Sequence, residues 1–404
     1  MTYTNRKLRV SKCKGEFLVH GQGTVLFKHA DIKKTCCFRL MNKDKTQGIQ
    51  FELGLCEIKA YLIPSNEPLF DKKNTQGLLE KKGVTYWLSL DSQNQKLYAG
   101  IGEARIENVL YRFSFVEQQK WEKLFLEGLC HFHIMSESTR TLLFLRDPIT
   151  TCVPLLVKHT DELTMNDIAG TAVLPHSSLS PIAQRLFGCI SGKRFVLDDT
   201  DFPEFSKAIE YSIINPNGWC YKRLLEKAGE FGKENIKETY LRITLGMNNG
   251  ESPGIPYVME IWPVGHYSPV HNHSGANAVI RVLHGSINVS LFPFLTEDGI
   301  DAFGSVDFKK DDITWISPTL NQTHQLKNLE DNTQACITIQ CYMYDSDDSG
   351  HYDYFDYIED GVKGQYEPDS DMDFLNFKKL MKEEWEASVQ EDSIKKLSTV
   401  RRGW

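Results

Sequence analysis

The first 165 residues are built from short runs of β-branched, aromatic and aliphatic residues that are separated by turn residues such as glycine, asparagine and aspartate. Runs of this length and composition are typical of β-strands. They lie at residues 15–19, 37–40, 49–53, 58–63, 85–90, 96–100 and 141–145. Short strands at regular spacing indicate two packed sheets. We therefore predict a β-sandwich domain at residues 1–165.

The pattern changes after a proline- and serine-rich join at residues 174–181, which we interpret as a domain boundary. Apolar residues at helical spacing predict helices at 182–190, 202–213 and 221–231. Asp201 is the expected N-cap of the second helix, with Pro203 in its first turn. Residues 238–344 return to strands. We assign residues 175–360 to a second, mainly β domain, followed at 361–404 by an acidic segment and a C-terminal helix.

Composition narrows the class of protein. A chain of 404 residues with 41% hydrophobic and 25% charged residues is typical of two globular domains. The net charge of −8 gives no reason to expect a nucleic-acid partner. No run approaches the roughly 18 apolar residues of a membrane helix, and residues 1–20 lack the apolar region of an export signal. Ten cysteines without a CxxC pair favour a reducing compartment, so we expect a cytoplasmic protein without a membrane partner.

Two histidines, His271 and His273, stand one residue apart at the end of a predicted strand. Alternate side chains of a strand share a face, so both imidazoles can point toward one metal ion. His324 follows about fifty residues later and supplies a third candidate ligand. Three neutral imidazoles suit zinc, iron, copper or nickel, so the ligands alone do not choose the metal.

A second pair, His131 and His133, has the same spacing in the first half of the chain. This pair lies in an otherwise apolar run and has no third histidine in a matching context. We interpret it as a structural or surface pair.

The residues around the three histidines resemble the two sequence motifs of cupins. The matching positions are Gly265, Gly285, Pro318 and Asn328. In cupins these motifs lie on facing strands of a double-stranded β-helix barrel, so the resemblance implies this fold for the second domain, with the predicted helices preceding it. The glutamate that cupins commonly have five residues after the second histidine is replaced by Ala278, which leaves three neutral ligands.

Residues 180–345 further resemble the cysteine dioxygenase family. The matching positions are Tyr240 and Arg242, Trp262, residues 215–221, and residues 338–342, which end in Tyr342. The resemblance implies an Fe(II)-dependent dioxygenase that uses both atoms of O2 to convert a small carboxylated thiol to a sulfinic acid. The expected reaction is the oxidation of L-cysteine to cysteine sulfinate.

The same resemblance implies a role for each matching side chain. Arg242 would bind the substrate carboxylate, since a guanidinium is a planar, permanently charged donor. Tyr240 would buttress that contact, and Tyr342 would place its phenol near the bound oxygen or the carboxylate. Gln340 replaces a histidine of the family and can hydrogen-bond the phenol. Trp262 would line the substrate pocket mainly by packing.

Ala278 marks a second departure from the family. Animal members carry a cysteine there that forms a thioether with the active-site tyrosine, so Tyr342 cannot be cross-linked in that way. The neighbouring Cys341 is expected on the opposite face of its strand.

The first half of the chain weakly resembles another group of domains. Residues 85–91 and 96–102 are similar to the closing hairpin of farnesoic-acid-methyltransferase-like domains, which are jelly-roll or lectin-like modules. This resemblance implies binding of an unidentified ligand or partner rather than methyl transfer.

Two alternatives to a dioxygenase that acts on L-cysteine stay open. One is a cupin metalloenzyme of other chemistry, or one that acts on another thiol. The other is a cupin that binds a ligand without turnover.

Overall fold

The computed structural model describes residues 14–31, 33–73, 77, 84–116, 123–136, 139–245, 257–344 and 354–401. The chain forms two compact units, Met1–Val153 and Pro154–Trp404. The predicted mainly β fold, with a sandwich followed by a cupin-type barrel, is confirmed.

The first unit contains eleven described strands and one short described α-helix. These are β1 Lys14–Glu16, β2 Gln22–His29, β3 Cys36–Asn42, β4 Gly48–Leu53, β5 Glu57–Ile63, β6 Pro68–Lys73, β7 Thr85–Asp91, β8 Lys96–Ile101, β9 Val109–Ser114, α1 Lys123–Glu127, β10 Leu129–Ile134 and β11 Thr139–Leu145.

The strands of the first unit form two antiparallel sheets, in the orders β1-β10-β3-β4-β5-β6 and β11-β2-β7-β8-β9. Aromatic side chains join the two sheets: the ring of Phe27 on β2 lies 4.3 Å from that of Phe38 on β3, and Phe132 on β10 stacks on Phe144 of β11 at 4.9 Å. Burial of these large apolar rings between the sheets stabilises the sandwich.

The second unit contains the remaining elements. These are β12 Leu156–Lys158, α2 Met165–Gly170, β13 Val173–Pro175, α3 Pro181–Ile190, α4 Phe205–Ile214, α5 Trp219–Glu226, β14 Leu241–Leu245, β15 Tyr257–Trp262, β16 Val270–Asn272, β17 Asn277–His284, β18 Ser286–Leu291, β19 Gly304–Lys309, β20 Ile313–Ile316, β21 Thr323–Lys327, β22 Cys336–Met343, β23 Phe355–Glu359, β24 Val362–Tyr366, β25 Met372–Asp373 and α6 Phe374–Arg401.

Two sheets form the barrel of the second unit. One has the order β13-β12-β20-β17-β22-β15-β14-β25 and the other the order β19-β18-β21-β16-β23-β24. An apolar core between them unites Trp262 and Val282 of the first sheet with Ile287 and Phe308 of the second. At the turn between β17 and β18, Gly285 has a φ of +68°. A Cβ there would lie 2.3 Å from the carbonyl oxygen of Ala335, so the sharp turn requires glycine.

The second unit begins earlier than the predicted boundary at residue 165. Strand β12 pairs with β13 and β20 and therefore belongs to the barrel. The predicted join at 174–181 is wrong as a linker: it contains the end of β13, and Ser180 caps α3 through its side chain. Proline and serine are typical of connections, but the same residues also begin helices.

The helix boundaries also differ from prediction. Helix α4 starts at Phe205 with Glu204 as its N-cap, not at 202 with Asp201. The side chain of Asp199 instead accepts hydrogen bonds from the amides of Asp201 and Phe202. The third helix, α5, covers Trp219–Glu226 rather than 221–231.

Residues 361–404 were predicted as a segment following the barrel, but their described part is built into the second unit. β24 pairs with β23, β25 pairs with β14, and Phe377 of α6 packs against Phe205 of α4 and Trp219 of α5. No helix in the described part of the chain is both long and apolar enough to cross a membrane.

Candidate metal centre

The three predicted histidines converge in the barrel. His271 on β16 is the register partner of His324 on β21, and His273 follows one residue after β16 ends. The ring centroids lie 5.0 Å apart for His271 and His273, 4.8 Å for His271 and His324, and 4.9 Å for His273 and His324. Their potential ligand atoms all lie within 4.8 Å of one another.

Backbone carbonyls fix the orientation of two of these rings. Nδ1 of His271 lies 3.0 Å from the carbonyl oxygen of Pro269, and Nδ1 of His324 lies 3.0 Å from that of Asn321. A carbonyl oxygen only accepts hydrogen bonds, so each Nδ1 carries the proton and each Nε2 keeps its lone pair. Nε2 of His273 and Nε2 of His324 are 3.2 Å apart. Metal-binding histidines commonly donate their other ring N–H to a carbonyl oxygen in this way, as His271 and His324 do here.

The environment keeps the three imidazoles neutral. Burial lowers the pKa of His271 to about 4 and that of His324 to about 3, and it lowers the pKa of His273 well below its usual value. The Arg242 guanidinium lowers the pKa of His271 and His273 further. A metal binds only the deprotonated ring nitrogen, so these residues are in their ligating form at neutral pH. The donor set therefore fits a bound divalent metal ion.

Among the described residues, one other group could supply three metal ligands. It consists of Glu16, His20 and Cys130 in the first unit, of which Glu16 and His20 are exposed. The side chains of His131 and His133 do not join it. Their interpretation as a structural or surface pair stays a prediction.

A buried ion pair forms one polar wall of the site. Arg242 on β14 is the register partner of Glu260 on β15, and its Nη1 donates to Oε1 of Glu260 over 2.7 Å. The side chains are only 8% and 5% exposed. Nε of Arg242 has no hydrogen-bond partner among the described residues.

Gln340 and Tyr342 follow each other on the same face of β22. The phenol of Tyr342 donates to Oε1 of Gln340 over 2.5 Å, which confirms the predicted contact. Burial raises the pKa of Tyr342, so its hydroxyl stays protonated. Its ring stacks on that of His273 with centroids 5.7 Å apart. Cys341 points away, as predicted, and its thiol lies 3.4 Å from the carbonyl oxygen of Leu186 on α3.

Tyr240 and Trp262 pack together in the core below the polar groups. Their rings stack with centroids 4.1 Å apart, and both line the same cavity as the histidines. Nζ of Lys227 lies 5.5 Å from the centroid of the Tyr240 ring. The structure thus brings together every sequence-predicted site residue.

The cavity is small and mostly apolar. It offers about 50 Å³ to the centres of water-sized molecules. It is lined by the three histidines, by Arg242, Glu260, Gln340 and Tyr342, and by apolar side chains that include Trp262, Val282 and Phe308. A space of this size suits a ligand of a few heavy atoms.

Ala278 lies directly opposite Tyr342 in the pairing of β17 with β22. Both belong to one buried cluster that includes Ile280 and Ile316. A methyl group therefore occupies the space beside the tyrosine, and no described side chain adds an anionic ligand to the three histidines.

Sequence reasoning missed three residues of the site. Glu260 could have been found, because a carboxylate in the apolar run 257–262 faces either a partner or water. Phe355 packs on His273 at 4.6 Å, and Tyr357 is the register partner of His271. Residues 345–353 lie outside the described residues, and β23 pairs with β16 beside the site.

Comparison with known proteins gives only distant structural matches. No protein-family model matches the chain. A cupin domain from Schizosaccharomyces pombe is 17% identical with a TM-score of 0.21, over 26% of this chain and 66% of its own. A cupin-like protein from Thermotoga maritima is 16% identical with a TM-score of 0.20, over 25% of this chain and 66% of its own. L-ribose isomerase from Cellulomonas parahominis is 14% identical with a TM-score of 0.19, over 24% of this chain and 53% of its own. The chain thus spans less than two thirds of the length of each of these three proteins.

Proposed function

We propose that the protein is an Fe(II)-dependent thiol dioxygenase that oxidises a small carboxylated thiol, with L-cysteine to cysteine sulfinate as the expected reaction. The observation that supports it most is the cavity in which three neutral imidazoles face a buried arginine. Iron bound to His271, His273 and His324 would supply the redox chemistry and the binding place for thiolate and O2.

The chain's own residues would position the substrate. Arg242 offers its unpartnered Nε to a carboxylate. The amide of Gln340 interacts with Glu260 and Tyr342 and so holds the polar wall in place. A buried N–H donor without an acceptor is costly, so a ligand that supplies an oxygen atom to Arg242 would gain this hydrogen bond. Tyr240 lines the same cavity and, stacked on Trp262, would help to keep water away from Arg242.

Tyr342 would hold a proton close to the reacting sulfur. Its hydroxyl remains protonated and is oriented by Gln340. Its lone pairs remain able to accept a hydrogen bond from a substrate N–H. The surrounding apolar side chains would exclude water, so the thiol would be oxidised without competing solvent reactions.

A second candidate is a cupin metalloenzyme whose substrate is not an anion. The pairing of Arg242 with Glu260 favours it, because the guanidinium already has a carboxylate partner.

Oxygen consumption would distinguish these candidates. The metal-free chain would be reconstituted anaerobically with Fe(II), mixed with L-cysteine, 3-mercaptopropionate or cysteamine, and exposed to O2. We expect O2 uptake that depends on both iron and thiol. The dioxygenase proposal is wrong if no thiol causes iron-dependent uptake.

Substitution of the arginine tests its assigned role. Arg242→Ala should raise KM for carboxylated thiols by roughly tenfold or more, the usual cost of losing a charge-assisted hydrogen bond, and should not raise KM for cysteamine. Arg281→Ala is the matched control, since Arg281 is also buried in the barrel but does not line the cavity. Equal effects of both substitutions on all thiols would show a structural role only.

A further inference from the structure

The wall of the cavity formed by the eight-stranded sheet contains one positive and one negative charge. Arg242 and Glu260 lie on adjacent strands of this sheet, whereas His271 and His324 lie on the six-stranded sheet. All four residues line one cavity. Any ligand that reaches the histidines therefore meets the ion pair.

The pair is held in place by its backbone as well as by its charges. Oδ2 of Asp371 accepts a hydrogen bond of 2.7 Å from the backbone amide of Arg242, and the carbonyl of Arg242 accepts one of 2.8 Å from the amide of Asp371. The side chain of Arg242 is thus anchored beside Glu260. A ligand that enters the cavity therefore meets Arg242 and Glu260 while they are still paired with each other.

Glu260 cancels much of the field of Arg242. A guanidinium remains charged in proteins, and the contact of 2.7 Å is the length of a charge-assisted hydrogen bond. Both side chains are removed from water, so solvent screens their charges little. A ligand carboxylate approaching Nε of Arg242 would be attracted by the guanidinium and repelled by the carboxylate of Glu260.

We propose that Glu260 is a specificity-determining residue, which makes this wall electrically neutral and so reduces the preference of the cavity for a thiol that ends in a carboxylate over one that ends in an ammonium group. The inference rests on the proposed thiol chemistry. It concerns the charge of the substrate rather than the reaction itself.

Two thiols of equal length provide the probe. 3-Mercaptopropionate and cysteamine share the HS–CH2–CH2 unit and differ only in the charged end. Their dissociation constants would be measured by anaerobic calorimetry on the full-length Fe(II)-loaded chain and on its Glu260→Gln variant. Glutamine keeps the size and hydrogen-bonding capacity of the side chain and removes its charge.

The expected result is a selectivity ratio for 3-mercaptopropionate over cysteamine that rises about tenfold or more in Glu260→Gln, since Arg242 is then an uncompensated cation. Glu210→Gln is the matched control, because Glu210 is a partly buried glutamate of this unit that also has a side-chain partner but does not line the cavity. A ratio within twofold of the parent in Glu260→Gln would overturn the proposal.

A second pair of variants keeps the test decisive if Glu260→Gln does not fold. Arg242→Gln alone should lower the ratio, and the double variant Arg242→Gln with Glu260→Gln should bring it back toward the parent value. The double variant leaves no unpaired charge in the interior, which removes the main cost of breaking a buried ion pair. An identical ratio in the single and double variants would show that Glu260 has no effect on ligand charge.

Failure of this inference differs from failure of the proposed function. Iron-dependent O2 uptake together with an unchanged selectivity ratio in Glu260→Gln would refute the role of Glu260 and leave the dioxygenase proposal standing. A changed ratio without O2 uptake with any thiol would refute the dioxygenase and keep the role of Glu260.

Discussion

At the residue scale, the site depends on groups whose charge is set by burial. The three histidines are neutral because desolvation disfavours their charged form, and Tyr342 is protonated for the same reason. Among the described residues that line the cavity, only Arg242 and Glu260 bring full charges into it. Metal binding and ligand charge are therefore controlled by different residues.

This burial predicts how the metal-free protein responds to acid. His271 has a pKa of about 4 when folded and 6.5 in the unfolded chain, so the unfolded state binds more protons between these values. The stability of the second unit should fall as the pH is lowered from 6.5 to 4, by up to about 3 kcal/mol for this histidine. Denaturant titrations of the metal-free chain across this range would measure it.

His271→Gln should give a flatter pH dependence than the parent protein. His20→Gln, which replaces a surface histidine of the first unit, serves as the control and should retain the parent profile. If His271→Gln and the parent lose stability equally on acidification, the pKa of His271 is not lowered by burial.

At the element scale, the position of Arg242 depends on a segment far along the chain. Asp371, just before β25, binds the backbone of Arg242, and its side chain also accepts from Nε of Arg223 at 2.9 Å and from Nζ of Lys227 at 3.1 Å. Lys227 is 5% exposed. This carboxylate thus connects β14 to α5.

Asp371→Asn should loosen β14, because the buried charge of Lys227 loses a partner. The expected destabilisation is about 3 kcal/mol, typical of a buried ion pair that loses one member. Hydrogen exchange at the amide of Arg242 would measure this loosening, and the exchange rate should increase. Asp307→Asn, on the exposed part of β19, should leave this exchange rate unchanged; equal rates in Asp371→Asn and the parent would contradict the assigned role.

Local sequence patterns predicted individual strands and motifs better than they predicted which strands and side chains pair with each other. Strict alternation at 240–245 and the motif around His271 are short-range signals, so β14 and the three histidines followed from them. Strand β2 and the pairing of Arg242 with Glu260 did not, because both depend on contacts with strands distant in the chain. The boundary was misplaced for the same reason: β12 belongs to the second unit only through its pairing with β20.

At the scale of the whole molecule, two units with separate cores predict two unfolding events. Aromatic contacts stabilise the sandwich, and a different apolar cluster stabilises the barrel. The proposed role of the first unit as a binding module for an unidentified ligand or partner requires no residue of the metal centre. The expected location in the cytoplasm and the expectation of no nucleic-acid partner also stay predictions.

Calorimetry of the full chain should show that Fe(II), added anaerobically, raises the unfolding temperature of the second unit and leaves that of the first unit unchanged. A ligand at a hundredfold excess over its dissociation constant stabilises the folded state by about 2.7 kcal/mol. His271→Gln should abolish this shift. A shift that survives His271→Gln and disappears in Cys130→Ser would instead place the metal at the cluster of Glu16, His20 and Cys130.

The most direct test of the central claim is the fate of the oxygen atoms. The Fe(II)-loaded chain would be supplied with L-cysteine and 18O2, and the product analysed by mass spectrometry. We expect a sulfinic acid heavier than cysteine by two 18O atoms, and no such product from His324→Gln. A product containing one labelled atom or none, or only disulfide, would contradict the proposed dioxygenase.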